Sequence, residues 1–219
     1  DAQNEAHQSE KDALEQTIAD LNRQIAIKRA ATTQPPVTQS PAVQTGTADL
    51  SGKTVYLTFD DGPSPRTPEI LKILDQYGVK ATFFVINGGK YNQYMKDIVN
   101  GGHSIALHSY SHNYSNIYAS EENYFADLQK ISDVVYEQTG VRSNLIRFPG
   151  GSSNTVSRKY SKGIMTRLTK EVAARGYVYF DWNVESGDAA GNRVSAQTII
   201  NNIRKVPRNN AVIVLMHYA

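Results

Sequence analysis

The sequence predicts an α/β fold built around a parallel β-sheet that is either open or closed into a barrel. From about residue 51 onwards, short apolar segments typical of strands alternate with segments that have helical periodicity. The 219 residues are enough for one domain with a sizeable core and a modest additional segment. No internal repeat is apparent.

Six strands are predicted from short runs of apolar, β-branched and aromatic residues. In chain order they are Thr54–Phe59, Ala81–Ile86, Ser104–Leu107, Leu145–Phe148, Tyr177–Trp182 and Ala211–Met216. The helices predicted between them are Pro68–Gln76, Lys90–Asn100, Ser120–Thr139, Gly163–Arg175 and Ser195–Lys205. Ser120 and Ser195 are candidate N-caps, and Gly140 and Gly176 end their helices.

The first 50 residues differ in composition from the rest of the chain. Residues 1–30 are rich in helix-forming side chains, and an apolar stripe with 4-3-4 spacing runs along them through Leu14, Ile18, Leu21 and Ile25. We expect a solvated helix or the end of a coiled coil, and hence a monomer or a weak coiled-coil dimer. Residues 31–50 are rich in Pro, Thr and Gln and predict an extended linker. The two segments together predict a stalk that holds residues 51–219 away from an upstream anchor.

Composition excludes several classes of site and partner. The chain has no cysteine, so disulfides and thiolate metal ligands are excluded. No run approaches 18 consecutive apolar residues, so no membrane span is expected, and the first residues do not resemble a signal peptide. A net charge of +2 without a basic cluster gives no indication of a nucleic-acid partner.

Two polar motifs carry the chemistry. Asp60 and Asp61 end an apolar strand, where two adjacent carboxylates are costly unless a cation or a proton-transfer step needs them. His108 and His112 are four residues apart and follow another predicted strand. One Asp and two His form a three-ligand set that leaves a metal position open for water and substrate, which indicates a hydrolytic metalloenzyme. Taken alone, the histidine pair is also compatible with a structural role.

All of the polar clusters follow the carboxyl ends of predicted strands. They are Asp60-Asp61, His108 with His112, Arg147, Asp181 and His217. In a parallel α/β barrel this end is the catalytic face, where loops from separate strands converge. Structural polar residues would be distributed over both ends, so the clustering predicts one functional site.

These segments resemble the five motifs of the polysaccharide deacetylases, the NodB-homology domains of carbohydrate esterase family four. The motifs are Thr58–Pro63, His108–His112, Arg147–Gly150, Asp181–Asn183 and Leu215–His217, and the match covers residues 53–217 in order. The resemblance implies a distorted (β/α) barrel and the removal of N- or O-acetyl groups from polysaccharides with a divalent metal. Residues 147–188 are particularly similar to deacetylases that act on N-acetylglucosamine in bacterial peptidoglycan.

The resemblance implies metal ligands and a general base. Asp61, His108 and His112 are the expected ligands of a divalent metal, for which Zn²⁺ suits best and Co²⁺, Ni²⁺ or Mn²⁺ could substitute. Asp60 is the expected general base that deprotonates the attacking water. Arg147 is expected to pair with Asp60 and fix its orientation.

The remaining roles concern the leaving group and the acetyl group. His217 is the expected general acid, with Asp181 raising its pKa and fixing its tautomer. The backbone N–H of Gly150 is expected to share the tetrahedral oxyanion with the metal. Leu215 and Trp182 are expected to line a small pocket for the acetyl methyl group, although core packing is an alternative for Trp182.

The sequence departs from the family pattern in two places. Tyr218 follows the final histidine, where many relatives carry Asp, and the chain ends one residue later. Family members usually continue through another loop and a helix that helps to close the barrel. We therefore expect a C-terminally truncated domain, and whether its barrel is closed stays undecided from the sequence. The segment 150–153, Gly-Gly-Ser-Ser, replaces an aromatic residue often found after the proline of the third motif. Loss of that ring predicts a wider substrate groove.

Three functional hypotheses follow. The first is an N-deacetylase of N-acetylglucosamine polymers, with peptidoglycan favoured over chitin because of the stalk. The second is an O-deacetylase of acetylated xylan that uses the same residues, and the third is a metal-binding cell-wall module without activity. The stalk and the polysaccharide partner indicate an extracellular or cell-surface location in a bacterium.

Overall fold

The computed structural model describes residues 50, 52–191, 193–208 and 210–218. The predicted N-terminal helix lies outside the described residues, and so does the predicted linker except for Leu50. The predictions of a stalk and of a weak coiled-coil dimer concern those segments and stay predictions. No helix of the described residues combines the length and apolar character that crossing a bilayer requires.

Seven parallel strands form a curled half-barrel. The strands are β1 (Thr54–Gly62), β2 (Thr82–Val85), β3 (Ser104–Leu107), β4 (Leu145–Ile146), β5 (Val178–Tyr179), β6 (Val184–Glu185) and β7 (Ala211–His217). Their order in the sheet is β5-β4-β3-β2-β1-β7-β6. Among the described residues β5 and β6 are not paired, so the sheet is open between them. The curled parallel sheet with helices confirms the predicted distorted (β/α) barrel class.

Six α-helices connect the strands of the described part of the chain. They are α1 (Thr67–Gln76), α2 (Tyr94–Asn100), α3 (Tyr114–Ile117), α4 (Glu121–Thr139), α5 (Ile164–Ala174) and α6 (Ala196–Ile203). Short 3₁₀ turns are present at Gly89–Tyr91 and Val156–Lys159. The hydroxyl of Ser120 accepts a hydrogen bond from Asn123 N–H, and Gly140 ends α4 with a left-handed φ of 72°. The predicted caps of α4 are therefore confirmed.

The structure corrects three parts of the predicted element list. The strand predicted at Tyr177–Trp182 is only two residues long, and a separate strand, β6, follows it. The helix predicted at Lys90–Asn100 is divided into a 3₁₀ turn and α2. The four-residue helix α3 was not predicted, because one helical turn is too short to show a periodicity.

The core lies between the sheet and the helices on its outer face. Helix α4 contributes a buried stripe with helical spacing, which consists of Tyr124, Leu128, Ile131 and Val135. These side chains belong to one cluster with buried residues of the central strands, such as Phe83 and Leu107. The cluster holds α4 against β3, and α4 therefore lies beside the loop that follows β3.

Strand register brings the polar motifs together. Asp60 at the end of β1 is the direct neighbour of His217 on β7, and Leu107 on β3 is the neighbour of Ile146 on β4. His108 and Arg147, each one residue further along, consequently lie side by side. The carboxyl ends of five strands thus converge on one edge of the sheet, as the sequence predicted.

Candidate active site

Three side chains at this edge form a cluster of metal-ligand type. The Oδ1 atom of Asp61 lies 3.4 Å from Nε2 of His108 and 3.4 Å from Nε2 of His112. The ligand atoms of the three residues all lie within 4.8 Å of one another. Asp61 Oδ1 is buried and has no hydrogen-bond partner in the described part of the protein. A buried carboxylate oxygen without a partner is costly, which indicates that a further group belongs there.

The tautomer of His108 is consistent with metal binding. Its Nδ1 atom lies 2.8 Å from the carbonyl oxygen of Arg147. Because a carbonyl oxygen only accepts, His108 donates from Nδ1 and keeps a lone pair on Nε2, the nitrogen that faces Asp61. An orphaned carboxylate oxygen beside two imidazole nitrogens therefore fits a divalent metal ion with nitrogen and oxygen ligands.

The backbone is adjusted locally so that both aspartates face the cluster. Successive side chains of a regular strand point to opposite faces of the sheet. The register of β1 against β2 shifts between Asp60 and Gly62, and Asp61 has a left-handed φ of 73°. His112 also has a left-handed φ, of 48°. Such conformations cost on the order of 1–3 kcal/mol in a non-glycine residue, so their presence in two candidate ligands is typical of a functional site.

Gly62 and Tyr218 explain one departure from the family pattern. A Cβ atom on Gly62 would lie 2.0 Å from Cζ of Tyr218, so the ring requires a glycine there. Tyr218 is buried and packs edge-to-face against Phe59 and Phe83. Its side chain therefore belongs to the core beneath the site and does not serve as a partner of His217.

A buried carboxylate that the sequence analysis missed holds the histidine loop. Asp127 on α4 accepts hydrogen bonds from the hydroxyl of Ser109 at 2.6 Å, from Tyr110 N–H at 2.6 Å and from Ser111 N–H at 2.9 Å. The Ser109 hydroxyl oxygen in turn accepts from His112 N–H at 2.9 Å. Asp127 thereby fixes the segment that carries both histidines. An acidic residue within the apolar stripe of α4 was the signal that could have revealed it.

Asp60 and Arg147 form a buried ion pair, as predicted from the sequence. Nη1 of Arg147 donates to Asp60 Oδ1 at 2.7 Å and to the hydroxyl of Thr58 at 2.8 Å, and the arginine is fully buried. Its Nε also donates to the carbonyl of Phe180 at 3.0 Å. Burial raises the pKa of Asp60, whereas the charges of His108 and Arg147 oppose that rise. The other oxygen, Oδ2, lies 3.9 Å from Nε2 of His108 and faces the ligand cluster.

His217 is paired with Asp188, so the predicted pairing with Asp181 is wrong. Asp188 Oδ1 lies 2.8 Å from Nδ1 of His217, and its Oδ2 accepts from His217 N–H at 2.6 Å. The hydrogen bond to Asp188 raises the pKa of His217, and burial opposes the rise. Asp181 instead accepts hydrogen bonds from the backbone N–H and the hydroxyl of Ser152.

Strand order gives the physical reason for this correction. Asp181 follows β5, which pairs with β4, whereas Asp188 follows β6, which pairs with β7. His217 ends β7, so a residue after β6 is its neighbour and a residue after β5 is not. Asp188 was not predicted because β6, the strand that it follows, has only two residues. An acidic residue after a Glu-Ser-Gly turn was the available signal.

The peptide between Pro149 and Gly150 is held in a defined orientation. The hydroxyl of Tyr118 donates to the carbonyl of Pro149 at 2.7 Å. In a trans peptide the N–H points away from the carbonyl of the same unit, so Gly150 N–H is directed away from Tyr118. Among the described residues this N–H has no acceptor. It is therefore available to an oxygen atom of a bound molecule.

The two residues predicted to contact the acetyl methyl group lie in different surroundings. Leu215 is buried on β7, where it pairs in register with Thr58 and Glu185. The half-buried Trp182 lies against the Gly150-Gly151 turn, with its Cη2 atom 3.1 Å from the position of a Cβ on Gly151. The ring of Trp182 also lies 5.6 Å from the guanidinium of Arg147. Trp182 thus borders the arginine that holds Asp60.

Residues 47–167 match the family model described as polysaccharide deacetylase, which is more than half of the chain. The chain belongs to the polysaccharide deacetylase family. The matched segment contains Asp60, Asp61, both histidines of the cluster and Arg147.

Curated and solved members of the polysaccharide deacetylase family are similar to this chain. A peptidoglycan-N-acetylglucosamine deacetylase of Bacillus cereus is 35% identical over 153 residues, which are 68% of this chain and 50% of that protein. A chitooligosaccharide deacetylase of Bradyrhizobium is 31% identical over 180 residues, 80% of this chain and 75% of that protein. The chain thus spans half of the length of the first of these relatives.

A solved structure is similar over most of its length. The catalytic domain of a peptidoglycan N-acetylglucosamine deacetylase from Eubacterium rectale superimposes with a TM-score of 0.73 and 45% sequence identity. The comparison covers 84% of this chain and 82% of that chain. The likeness therefore includes the fold over most of both chains.

Proposed function

We propose that this chain is a metal-dependent hydrolase that removes acetyl groups from N-acetylglucosamine residues of a polysaccharide, with peptidoglycan as the favoured substrate. The observation that carries the proposal is the composite site around Asp61. The buried Oδ1 atom of Asp61 has no partner and lies beside the imidazoles of His108 and His112. The same edge of the sheet carries Asp60, which is paired with an arginine, and His217, which is paired with an aspartate. Similarity to peptidoglycan deacetylases of Bacillus cereus and Eubacterium rectale supports the choice of polymer.

Asp61, His108 and His112 would hold the divalent metal. When bound, a metal with these ligands polarises the acetyl carbonyl and lowers the pKa of the attacking water. Zinc is the metal we favour, since two imidazoles and one carboxylate are a common catalytic zinc set, with Co²⁺, Ni²⁺ and Mn²⁺ as alternatives.

Asp60 is the proposed general base. Arg147 holds Oδ1 of Asp60 by a hydrogen bond, which leaves Oδ2 facing the ligand cluster, where it would take a proton from the water that attacks the acetyl carbonyl. The guanidinium keeps a fixed position because it is fully buried and is bound at the same time by Thr58 and Phe180. Arg147 therefore orients the base and stabilises its ionised form.

His217 is the proposed general acid. An amide nitrogen leaves as a free amine only after it is protonated, so N-deacetylation needs a proton donor on the leaving-group side. Asp188 accepts from the ring at Nδ1, which directs the opposite nitrogen, Nε2, outward as the donating atom. The raised pKa of His217 increases the fraction of the protonated form at neutral pH.

Gly150, Trp182, Leu215 and Asp181 complete the proposed site. The unpaired N–H of Gly150 donates to the oxyanion that forms when water adds to the carbonyl. Trp182 and Leu215 are assigned to the contact with the acetyl methyl group. Asp181 acts on the site by holding Ser152, and thereby the turn that follows Gly150.

Acetate release after metal removal tests the proposal. Protein treated with a chelator is assayed on peptidoglycan, chitin oligomers and acetylated xylan before and after zinc is restored. We expect release to stop after chelation, to return with zinc and to be faster on peptidoglycan. Release from acetylated xylan alone would assign the O-deacetylase, and zinc binding without release from any glycan would assign the inactive wall module. A cell-surface location in a bacterium is proposed together with this substrate.

A further inference from the structure

Helix α3 places two tyrosines against the turn that carries Gly150. Tyr114 and Tyr118 are four residues apart and their rings meet edge-to-face at a centroid distance of 5.4 Å. The hydroxyl of Tyr118 donates a hydrogen bond to the carbonyl of Pro149. The hydroxyl of Tyr114 makes no hydrogen bond to any residue in the described part of the chain. One of the two hydroxyls therefore anchors the turn and the other is free.

The free hydroxyl lies directly beside Gly150. A Cβ atom on Gly150 would stand 2.8 Å from the hydroxyl oxygen of Tyr114, which is closer than packed atoms tolerate. A Cβ stands about 2.5 Å from its own nitrogen, so the hydroxyl lies within about 5 Å of Gly150 N. On its other side the Tyr114 ring meets His112 edge-to-face at 5.6 Å. Tyr114 thus borders both a proposed metal ligand and the proposed oxyanion donor.

This arrangement changes the expectation of a wider groove. The space that a side chain at position 150 would fill is taken by the hydroxyl end of Tyr114. The space beside Gly150 is therefore bordered by the first residue of α3. The position of Tyr114 is fixed by the rest of α3, because Tyr118 is buried and the side chain of Asn113 caps the helix by accepting from the N–H of Ser115.

We propose that Tyr114 is a substrate-contacting residue whose hydroxyl donates a hydrogen bond to the sugar ring that carries the acetyl group. The inference rests on the proposed function, because it needs a glycan in the groove beside Gly150. A half-buried ring with a free hydroxyl costs little entropy when it binds, since it has few rotatable bonds and is already packed on His112 and Tyr118. The contact determines specificity for a glycan over an acetyl ester that lacks a sugar.

The test compares Tyr114→Phe with Tyr77→Phe, the same chemical change at a side chain that is 67% exposed. Zinc-loaded proteins are assayed on chitin tetramer and on 4-nitrophenyl acetate, which has an acetyl group but no sugar. We expect Tyr114→Phe to lower kcat/KM for the tetramer roughly 3- to 10-fold, the value of one neutral hydrogen bond, and to leave the aryl ester unchanged. Tyr77→Phe should change neither.

A binding measurement keeps the proposal independent of turnover. Calorimetric titration of chelator-treated protein with chitin tetramer should give a Kd that Tyr114→Phe raises by a similar factor. That result, together with no acetate release by the wild type from either chitin oligomers or peptidoglycan, would support the contact and reject the proposed function. Equal kinetics for the wild type and Tyr114→Phe, an equal fall on both substrates, or no binding of the tetramer would each overturn the proposal.

Discussion

Replacing Asp127 by Asn should weaken metal binding although Asp127 is not itself a candidate ligand. The carboxylate accepts three hydrogen bonds from the histidine loop, two at Oδ1 and one at Oδ2. An Asn side chain retains one acceptor oxygen and presents an NH₂ group in place of the other. With the amide oxygen in the place of Oδ1, the bonds from Ser109 and Tyr110 are kept, and the NH₂ group then opposes the N–H of Ser111.

The expected loss of stability in Asp127→Asn follows from the hydrogen bond to Ser111 that is lost. A hydrogen bond to a charged acceptor contributes about 1.5–3 kcal/mol, and the opposed donors remain buried without a partner. We therefore expect the free energy of unfolding to fall by about 1.5–3 kcal/mol. The loss also loosens the loop that presents His112, whose N–H depends on Ser109. Removing such a support typically lowers metal affinity about 10- to 100-fold.

The assay is a competition between the protein and a chelating dye for zinc, combined with urea unfolding of the zinc-free protein. Asp133→Asn is the matched control, because it lies on the same helix and its side chain is 57% exposed in a surface pair with Arg142. The control should bind zinc as the wild type does. Wild-type zinc affinity in Asp127→Asn would refute the idea that α4 positions the histidines.

Two pH-dependent predictions follow from His217 and His103, whose pKa values are shifted in opposite directions. His217 must be protonated to act as the acid, so N-deacetylation should be lost as the pH rises through the raised pKa of His217. Asp188→Asn should shift this alkaline limit of activity to lower pH, whereas the control Asp181→Asn should leave it unchanged. An unshifted pH profile in Asp188→Asn would contradict this pairing. The Nδ1 atom of His103 accepts a hydrogen bond from Ala81 N–H, and burial lowers the pKa of His103. The contribution of neutral His103 to the free energy of unfolding is therefore complete above the pKa of the unfolded state, about 6.5, and is lost as the pH falls below that value. The free energy of unfolding, measured with urea at pH 7.5 and pH 5, should fall less in His103→Gln than in the wild type, and equal losses would count against the assignment.

The parts of the site that sequence could predict are those that directly follow well-formed strands. Asp60 lies near the end of a nine-residue strand and His108 directly follows a four-residue strand, and both strands show a clear apolar pattern. Since parallel strands end at a common edge, the convergence of these residues needed no further information. The pairing of Asp60 with Arg147 agrees with the expectation, because Arg147 follows β4 at the same edge of the sheet.

The parts that sequence could not predict depend on elements too short to leave a pattern. Strand β6 has two residues, one buried and one exposed, so no alternation identified it and Asp188 was missed. Asp127 was missed because one acid among the apolar positions of a helix does not by itself distinguish a buried partner from a solvated residue. Only the tertiary contact of α4 with the loop after β3 reveals what Asp127 binds.

The pairing of β1 with β7 separates the chemistry of this protein from its choice of substrate. Seven residue pairs hold these strands in register, and the seventh joins the proposed base to the proposed acid. Neighbouring strands lie about 4.8 Å apart, so the sheet itself sets the backbone spacing of the two proton-transfer groups. The groove wall, by contrast, is built from loops such as the one that carries Gly150. Insertions or exchanges in those loops can therefore diversify the accepted glycan during evolution, or in engineering, while the spacing of the two proton-transfer groups stays constant.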